Sequence, residues 1–113
     1  MSGRLPAHIE ISGLIRRSQA LGGHAAVLRR GERDAGAILV LIAERGAVLG
    51  LLERVLRSRG HYGWQFRSRE EIEQKQVVND YLERRGLIDS DLWVLELDIP
   101  DAERFAAEMT STG

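Results

Sequence analysis

Apolar residues recur at helical spacing near the start of the chain. A helix is predicted from Pro6 to Leu21, because one face collects Ile11, Leu14, Ile15, Ser18 and Leu21. Gly22-Gly23 follows and is expected to end it, since glycine accepts a left-handed cap. A short strand over His8 to Ser12, where Ile9 and Ile11 alternate, is the alternative.

The next forty-odd residues predict strands separated by glycine-containing turns. The segment His24 to Arg30 is read as a strand, and Gly31 and Gly36 bracket a hairpin turn before the apolar run AILVLIA. This second strand is apolar on both faces, which indicates a central position in the sheet. After a turn at Arg45-Gly46, a third strand is expected at Ala47 to Arg54.

Beyond a loop at Arg57 to Gly60, a fourth strand is expected at His61 to Arg67. It places Tyr62, Trp64 and Phe66 on one face and Gln65 and Arg67 on the other.

Ser68 and Glu71 form a capping box, which predicts that a helix starts there, runs to Arg85 and stops at Gly86. The first half of this segment is nearly all polar. Its second half carries one apolar stripe, made of Val77, Val78, Tyr81 and Leu82. We therefore expect the helix to dock by its C-terminal turns and to project its N-terminal turns into solvent or toward a partner.

Strict alternation in DSDLWVLELDIP predicts a last strand. One face would carry Trp93, Leu95, Leu97 and Ile99, and the other Leu92, Val94, Glu96 and Asp98. Pro100 ends the strand, and Asp101 is a suitable N-cap for a final helix with buried positions Ala102, Phe105, Ala106 and Met109.

The resulting order is helix, four strands, helix, strand, helix. We expect a single α+β domain over residues 1–113, with a mostly antiparallel sheet of about five strands, three helices and frayed ends at 1–5 and 110–113. Consecutive strands joined by tight turns are expected to pair antiparallel.

Composition narrows the classes of protein. The 113 residues contain no cysteine, which excludes a disulfide scaffold, a thiolate zinc site and a cysteine nucleophile. The longest uncharged apolar run, Ala35 to Ala43, is far shorter than the roughly 20 residues that span a bilayer. The N-terminus lacks the apolar core of a secretory signal, so a cytoplasmic protein without a membrane segment is expected.

The net charge of -1 hides a segregation along the chain. Residues 1–69 hold twelve arginines and five acids, whereas residues 70–113 hold twelve acids and four bases. Fifteen of the sixteen basic residues are arginine, and one interpretation of this composition is genomic bias. The functional interpretation is a dipolar domain whose two ends attract each other, a second copy or a partner.

The segment Arg54 to Arg69 interleaves basic and aromatic residues and contains no acid. Such a pattern is typical of surfaces that hold phosphates and stack bases. The candidate anion or nucleic-acid contacts are Arg54, Arg57, Arg59, Arg67 and Arg69. Period-two aromatic residues are equally typical of a core-facing strand, which is the competing interpretation.

A second set of polar residues consists of Arg30, Asp34, Glu96 and Asp98. Glu96 and Asp98 are two apart on one strand, so their backbones lie roughly 6.5–7 Å apart on one face. Two carboxylates there are suited to bind a cation, with Asp34 or Asp91 as a further ligand, or to act as acid and base. The alternatives are ion pairs with Arg16, Arg17 or Arg30, simple solvation, or a contact of Asp98 with the final helix N-terminus.

Other catalytic motifs are absent. The turn GERDAG lacks a phosphate-loop ending, and no dinucleotide fingerprint is present. His8, His24 and His61 have no metal-ligand spacing, and the single lysine, Lys75, lies on the polar half of a helix rather than beside the acids. No catalytic residue, metal or cofactor is assigned.

Three blocks of sequence carry a resemblance to a known family. GGHAAVLRRGERDAGAILV, YLERRG and DSDLWVLELD resemble the short bacterial proteins of domain of unknown function family fourteen ninety-one, over roughly residues 8 to 105. The turn of that family often reads Gly-Asp where this chain has Gly31-Glu32, and a proline often stands at the position of Ser90. The resemblance implies a free-standing domain and no assigned activity.

Three functional hypotheses follow. The first is a non-catalytic interaction or regulatory domain that works through its surface as a homodimer. The second is binding of nucleic acid or another anionic ligand through residues 54–69. The third and weakest is an enzyme that uses Glu96, Asp98 and an arginine in a pocket.

Overall fold

The computed structural model describes residues 5–57 and 60–111. Its elements in chain order are α1 (Ala7–Ala20), β1 (His24–Arg29), β2 (Ile38–Glu44), β3 (Ala47–Leu56), β4 (Tyr62–Ser68), α2 (Arg69–Glu73), α3 (Val78–Ile88), β5 (Trp93–Asp98) and α4 (Ala102–Ser111). The predicted α+β class and the five-stranded, mostly antiparallel sheet are confirmed. The described residues form four helices rather than three.

The order of the strands is β1-β5-β2-β3-β4, with β5 antiparallel to β1 and parallel to β2. The predicted β1–β2 hairpin is therefore wrong, because β5 lies between the two strands. The connection from β1 to β2 instead crosses the end of β5. There Glu32 N–H donates to Asp91 O at 2.9 Å, and Trp93 Nε1–H donates to Glu32 O at 2.6 Å.

Two glycines allow this crossing. A Cβ on Gly31 would lie 2.1 Å from Asp91 O, and one on Gly36 would lie 2.3 Å from the same atom. The two glycines are thus explained by a close approach of backbone to backbone, not by a tight turn.

The predicted helix from Ser68 to Arg85 is two helices, α2 and α3. The Ser68 cap is confirmed, since its hydroxyl accepts from Glu71 N–H at 3.1 Å. A continuous helix would place Ile72 and Val78 about 120° apart around its axis. The break after α2 lets both side chains pack against the sheet, where they are 2% and 5% exposed.

Helix α3 continues to Ile88, past the glycine expected to end it. The N-terminal part of the predicted helix was expected to project from the molecule, but in α2 the buried side chain of Ile72 attaches it to the sheet. The prediction that only the C-terminal turns dock is therefore wrong.

Helices cover both faces of the sheet. Helices α1 and α4 pack on the face that carries Trp64, Trp93, Leu95 and Leu97. Helices α2 and α3 pack on the other face, against Leu39, Leu41, Leu51 and Val94. The predicted alternation in β5 and the predicted central position of β2 are confirmed, because six of the seven β2 residues are buried.

No helix in residues 5–57 and 60–111 combines the length and the apolar character needed to cross a membrane.

Candidate functional site

The arginines and aromatic residues of segment 54–69 lie on opposite faces of the sheet. Tyr62, Trp64 and Phe66 lie on the α1–α4 face, where Trp64 is buried and Phe66 packs against the core. Gln65 and Arg67 alternate with them and lie on the α2–α3 face. A base stacked on an aromatic ring would therefore be on the other side of the sheet from Arg67.

Arg54 is the candidate that shares a face with these rings. Its guanidinium donates to the Glu10 carboxylate of α1, and the two side chains are 15% and 10% exposed. The Arg54 guanidinium carbon also lies 5.1 Å from the Trp64 ring centre and 5.9 Å from that of Tyr62. Arg54 therefore joins α1 to the sheet in a largely buried ion pair.

The other candidates of this segment also have partners within the chain. Arg57 donates to Trp64 O at 2.6 Å and lies over Gly63, and Arg69 is 3.2 Å from the Glu73 carboxylate. Arg59 lies outside the described residues. Binding of an anion by this segment stays a prediction, and it would compete with these internal contacts.

Arg67 belongs to a polar network that fixes α3 on the sheet. Arg67 and Arg85 both donate to Tyr81 Oη, at 2.9 and 2.8 Å, and Arg85 also donates to Glu53 Oε2 at 2.7 Å. The hydrogen bond to Glu53 is the main reason that the pKa of Arg85 is raised further above its ordinary value. The network ties β3 and β4 to the middle of α3.

Glu96 and Asp98 share a face but have different environments. The Asp98 carboxylate accepts from Arg45 N–H at 2.9 Å and from Gly46 N–H at 2.8 Å, so it caps the β2–β3 turn. Glu96 is half-buried and has no hydrogen bond or ion pair to another described residue. The helix end proposed for Asp98 is capped by Glu44 instead, which accepts from Ala102 N–H at 3.1 Å.

Arg30 and Asp34 lie at the opposite end of the sheet from Glu96 and Asp98. Arg30 stacks on Trp93 at 5.7 Å, and Asp34 lies 4.0 Å from His8 at the start of α1. The four polar candidates are therefore not brought together in one cluster. Within residues 5–57 and 60–111, no three His, Asp or Glu side chains are placed to hold a metal ion.

The loop that carries Asp34 is organised by Glu32. The Glu32 carboxylate accepts from the N–H groups of Ala35 and Asp34, at 2.5 and 2.9 Å. These bonds, that from Ala35 above all, hold the pKa of Glu32 below its ordinary value. The loop's carbonyl groups in turn accept from the first N–H groups of α1. These contacts explain Glu32 and Asp34 as parts of the fold.

A groove between β1 and α3 is the feature that the sequence pattern did not reveal. We call it the β1–α3 groove; it has a volume of about 330 Å³ and is lined by Leu28, Arg29, Asn79, Leu82, Glu83, Leu87 and Val94. Strand β1 forms one edge of the sheet, and four of its six residues are exposed. The pattern shows that Leu87 and Leu28 are apolar, but only the tertiary structure shows that they are left uncovered side by side.

Arg29 reaches the groove because β1 is irregular. The register of β1 against β5 shifts between Val27 and Arg29, which is the mark of a bulge that redirects a side chain. Arg29 then donates to Gly86 O at 3.0 Å, while its buried Nε has no hydrogen-bond partner in the described part of the chain. A Cβ on Gly86 would lie 3.0 Å from the Arg29 guanidinium carbon, so the glycine makes room for this contact.

Two large apolar side chains of the groove are left uncovered. Leu87 is 85% exposed and Leu28 51%, and both line the groove. Uncovered large apolar side chains side by side on a small domain are typical of an interaction surface.

Comparisons with known proteins give the family. The model of the family described as "Protein of unknown function (DUF1491)" matches residues 5–107. A crystal structure of a DUF1491 family protein from Caulobacter crescentus CB15 has 33% identity and a TM-score of 0.72, over 84% of this chain and 88% of that one. An NMR structure of a DUF1491 family protein from the same organism has 34% identity and a TM-score of 0.72, over 88% and 91%.

The solution structure of protein Atu0922 from A. tumefaciens is also similar. It has 32% identity and a TM-score of 0.70, over 88% of this chain and 89% of that one. No curated protein is significantly similar. The resemblance seen in the sequence is thus confirmed, and the chain belongs to the DUF1491 family of proteins of unknown function.

Proposed function

We propose that this chain is a cytoplasmic, non-catalytic interaction domain that forms a homodimer through the β1–α3 groove and the apolar side chains beside it. The observation that carries the proposal is the exposure of Leu87 and Leu28, 85% and 51%, which line the same groove beside the uncovered strand β1. Burying these side chains against a second copy would remove their apolar surface from water, which is the main driving force of association.

The apolar side chains of the groove supply only part of the free energy that a dimer needs. Fully burying an exposed leucine side chain contributes roughly 1.5–3 kcal/mol, so the exposed parts of Leu28 and Leu87 in two copies contribute roughly 4–8 kcal/mol. Loss of translational and rotational freedom on association costs about 4–15 kcal/mol. The two quantities are similar, so the dimer needs polar contacts in addition to this apolar surface.

Side chains rather than backbone hydrogen bonds are expected to make the contact. An open edge strand is a ready surface for strand pairing, but the bulge in β1 twists its edge away from regular pairing. The groove beside the strand therefore supports the dimer better than a sheet continued across two molecules.

Nucleic-acid binding through residues 54–69 receives less support. Each described candidate arginine of that segment has a partner within the chain, and the aromatic rings lie mostly inside the core. Binding would have to break contacts such as the buried pair of Arg54 with Glu10.

Size-exclusion chromatography with light scattering tests the homodimer. We expect the mass of two chains for the wild type, and of one chain for Leu87→Glu, because a carboxylate cannot be buried in an apolar contact without a large cost. Leu56→Glu is the matched control, since Leu56 is 64% exposed and lies on β3, away from the groove. A wild-type protein that stays monomeric at high concentration, or a Leu56→Glu variant that dissociates equally, contradicts the proposal.

A further inference from the structure

We infer that the two copies are joined by reciprocal ion pairs, in which Arg29 of each copy binds Glu83 of the other. This inference rests on the proposed homodimer and assigns to it a symmetry and a pair of specificity residues. Arg29 and Glu83 line the same groove, one on β1 and the other on α3. They carry opposite charges, yet they form no ion pair with each other or with another described residue.

Arg29 has unfilled hydrogen-bonding capacity. A guanidinium carries five N–H donors, and within the described residues Arg29 uses one of them, from Nη2 to Gly86 O. Its Nε is buried and has no partner there, so the donors within reach of a second copy are those of the terminal nitrogens. Nearly all other arginines near the core have a carboxylate or a ring beside them, as Arg54 and Arg85 do.

Two destabilising features of the fold, Gly86 and the bulge in β1, hold Arg29 in place. Gly86 lies inside α3, where glycine is less favourable than alanine. It is buried, and its missing side chain is what leaves space for the guanidinium. The bulge in β1 turns Arg29 toward the helix at the further cost of a regular ladder. Two local departures from ideal structure therefore serve one side chain.

The opposite charges of Arg29 and Glu83 favour a second copy of the chain as the partner. In a two-fold dimer the same patch meets itself, so residue i contacts residue j and residue j contacts residue i. A patch with one cation and one anion is complementary to itself when the axis passes between them. Two Arg29–Glu83 pairs then flank contacts between Leu28 and Leu87, and no like charges face each other.

Charge reversal on α3 tests the pairing. Glu83 is exposed, so Glu83→Arg is expected to fold like the wild type, which circular dichroism checks. It places an arginine opposite Arg29 and should weaken dimer association about tenfold or more, because interface charge pairs of this kind couple by more than 1.4 kcal/mol. Asp80→Arg is the matched control: it makes the same change on an exposed residue of α3 that does not line the groove.

Sedimentation equilibrium of these variants separates the inference from the dimer itself. Association should be weakened in Glu83→Arg, nearly unchanged in Asp80→Arg and regained in the double variant Arg29→Glu with Glu83→Arg. A wild-type dimer with Glu83→Arg as tight as the wild type, or with Asp80→Arg equally weakened, overturns the ion pairs and leaves the homodimer standing. A monomeric wild type overturns both.

Discussion

At the scale of single residues, the glycines of this chain show what a local pattern contains and what it lacks. Gly31 and Gly36 are visible in the sequence as positions that favour a turn, and the chain does change direction there. Their actual role is contact with Asp91, sixty and fifty-five residues away along the chain. Gly86 likewise looks like the end of a helix in the sequence, but it lies within α3 and its carbonyl oxygen accepts a hydrogen bond from Arg29. A sequence pattern reports conformational freedom, but not which distant atom occupies the space.

The substitution Gly31→Ala tests this assignment. It would force a Cβ to within 2.1 Å of Asp91 O, so backbone must move, and the free energy of unfolding should fall by roughly 1–3 kcal/mol. Gly13→Ala is the control, because Gly13 lies in α1 with nothing within 4 Å of the added atom. It should stabilise the protein by up to about 1 kcal/mol. Urea denaturation measures both, and equal effects of the two changes would refute the crossing contact.

At the scale of elements, helices and strands follow closely from periodicity, whereas their partners do not. The alternation in β5, the start of α1 and the Ser68 cap depend on neighbouring residues, and each is found where it is expected. Insertion of β5 between β1 and β2 depends on which apolar edges meet in three dimensions, so the hairpin interpretation failed. The break between α2 and α3 was predictable in principle from the non-helical spacing of Ile72 and Val78.

Two carboxylates of β5 look equivalent in the sequence pattern but have different environments in the structure. Asp98→Ala should remove two hydrogen bonds to the β2–β3 turn and lower the free energy of unfolding by about 1–2 kcal/mol. Glu96→Ala, on the same face of the same strand, should change it by less than about 0.5 kcal/mol. Thermal or urea unfolding of both variants decides the matter, and a larger loss from Glu96→Ala would mean that Glu96 has a role in the fold.

At the scale of the whole molecule, folding brings some charges of the basic and acidic parts of the chain together. Arg17 pairs with Glu108, Arg67 with Glu71 and Arg69 with Glu73. The candidate interface comes instead from a few side chains that folding leaves unpaired and uncovered, at the β1–α3 groove. Whether a side chain is left uncovered depends on the tertiary packing around it, so the local sequence pattern does not predict these residues.

The most direct test of the homodimer is a distance between two copies. The chain contains no cysteine, so Asp80→Cys and Leu56→Cys each allow a single spin label per chain. Asp80 is exposed on α3 without lining the groove, whereas Leu56 lies on β3, which is three strand spacings, or about 14 Å, from β1. Pulsed electron paramagnetic resonance should give a shorter label-to-label distance in the dimer for Asp80→Cys than for Leu56→Cys. A shorter distance at position 56, or no dipolar coupling at either position, would contradict a dimer formed through the β1–α3 groove.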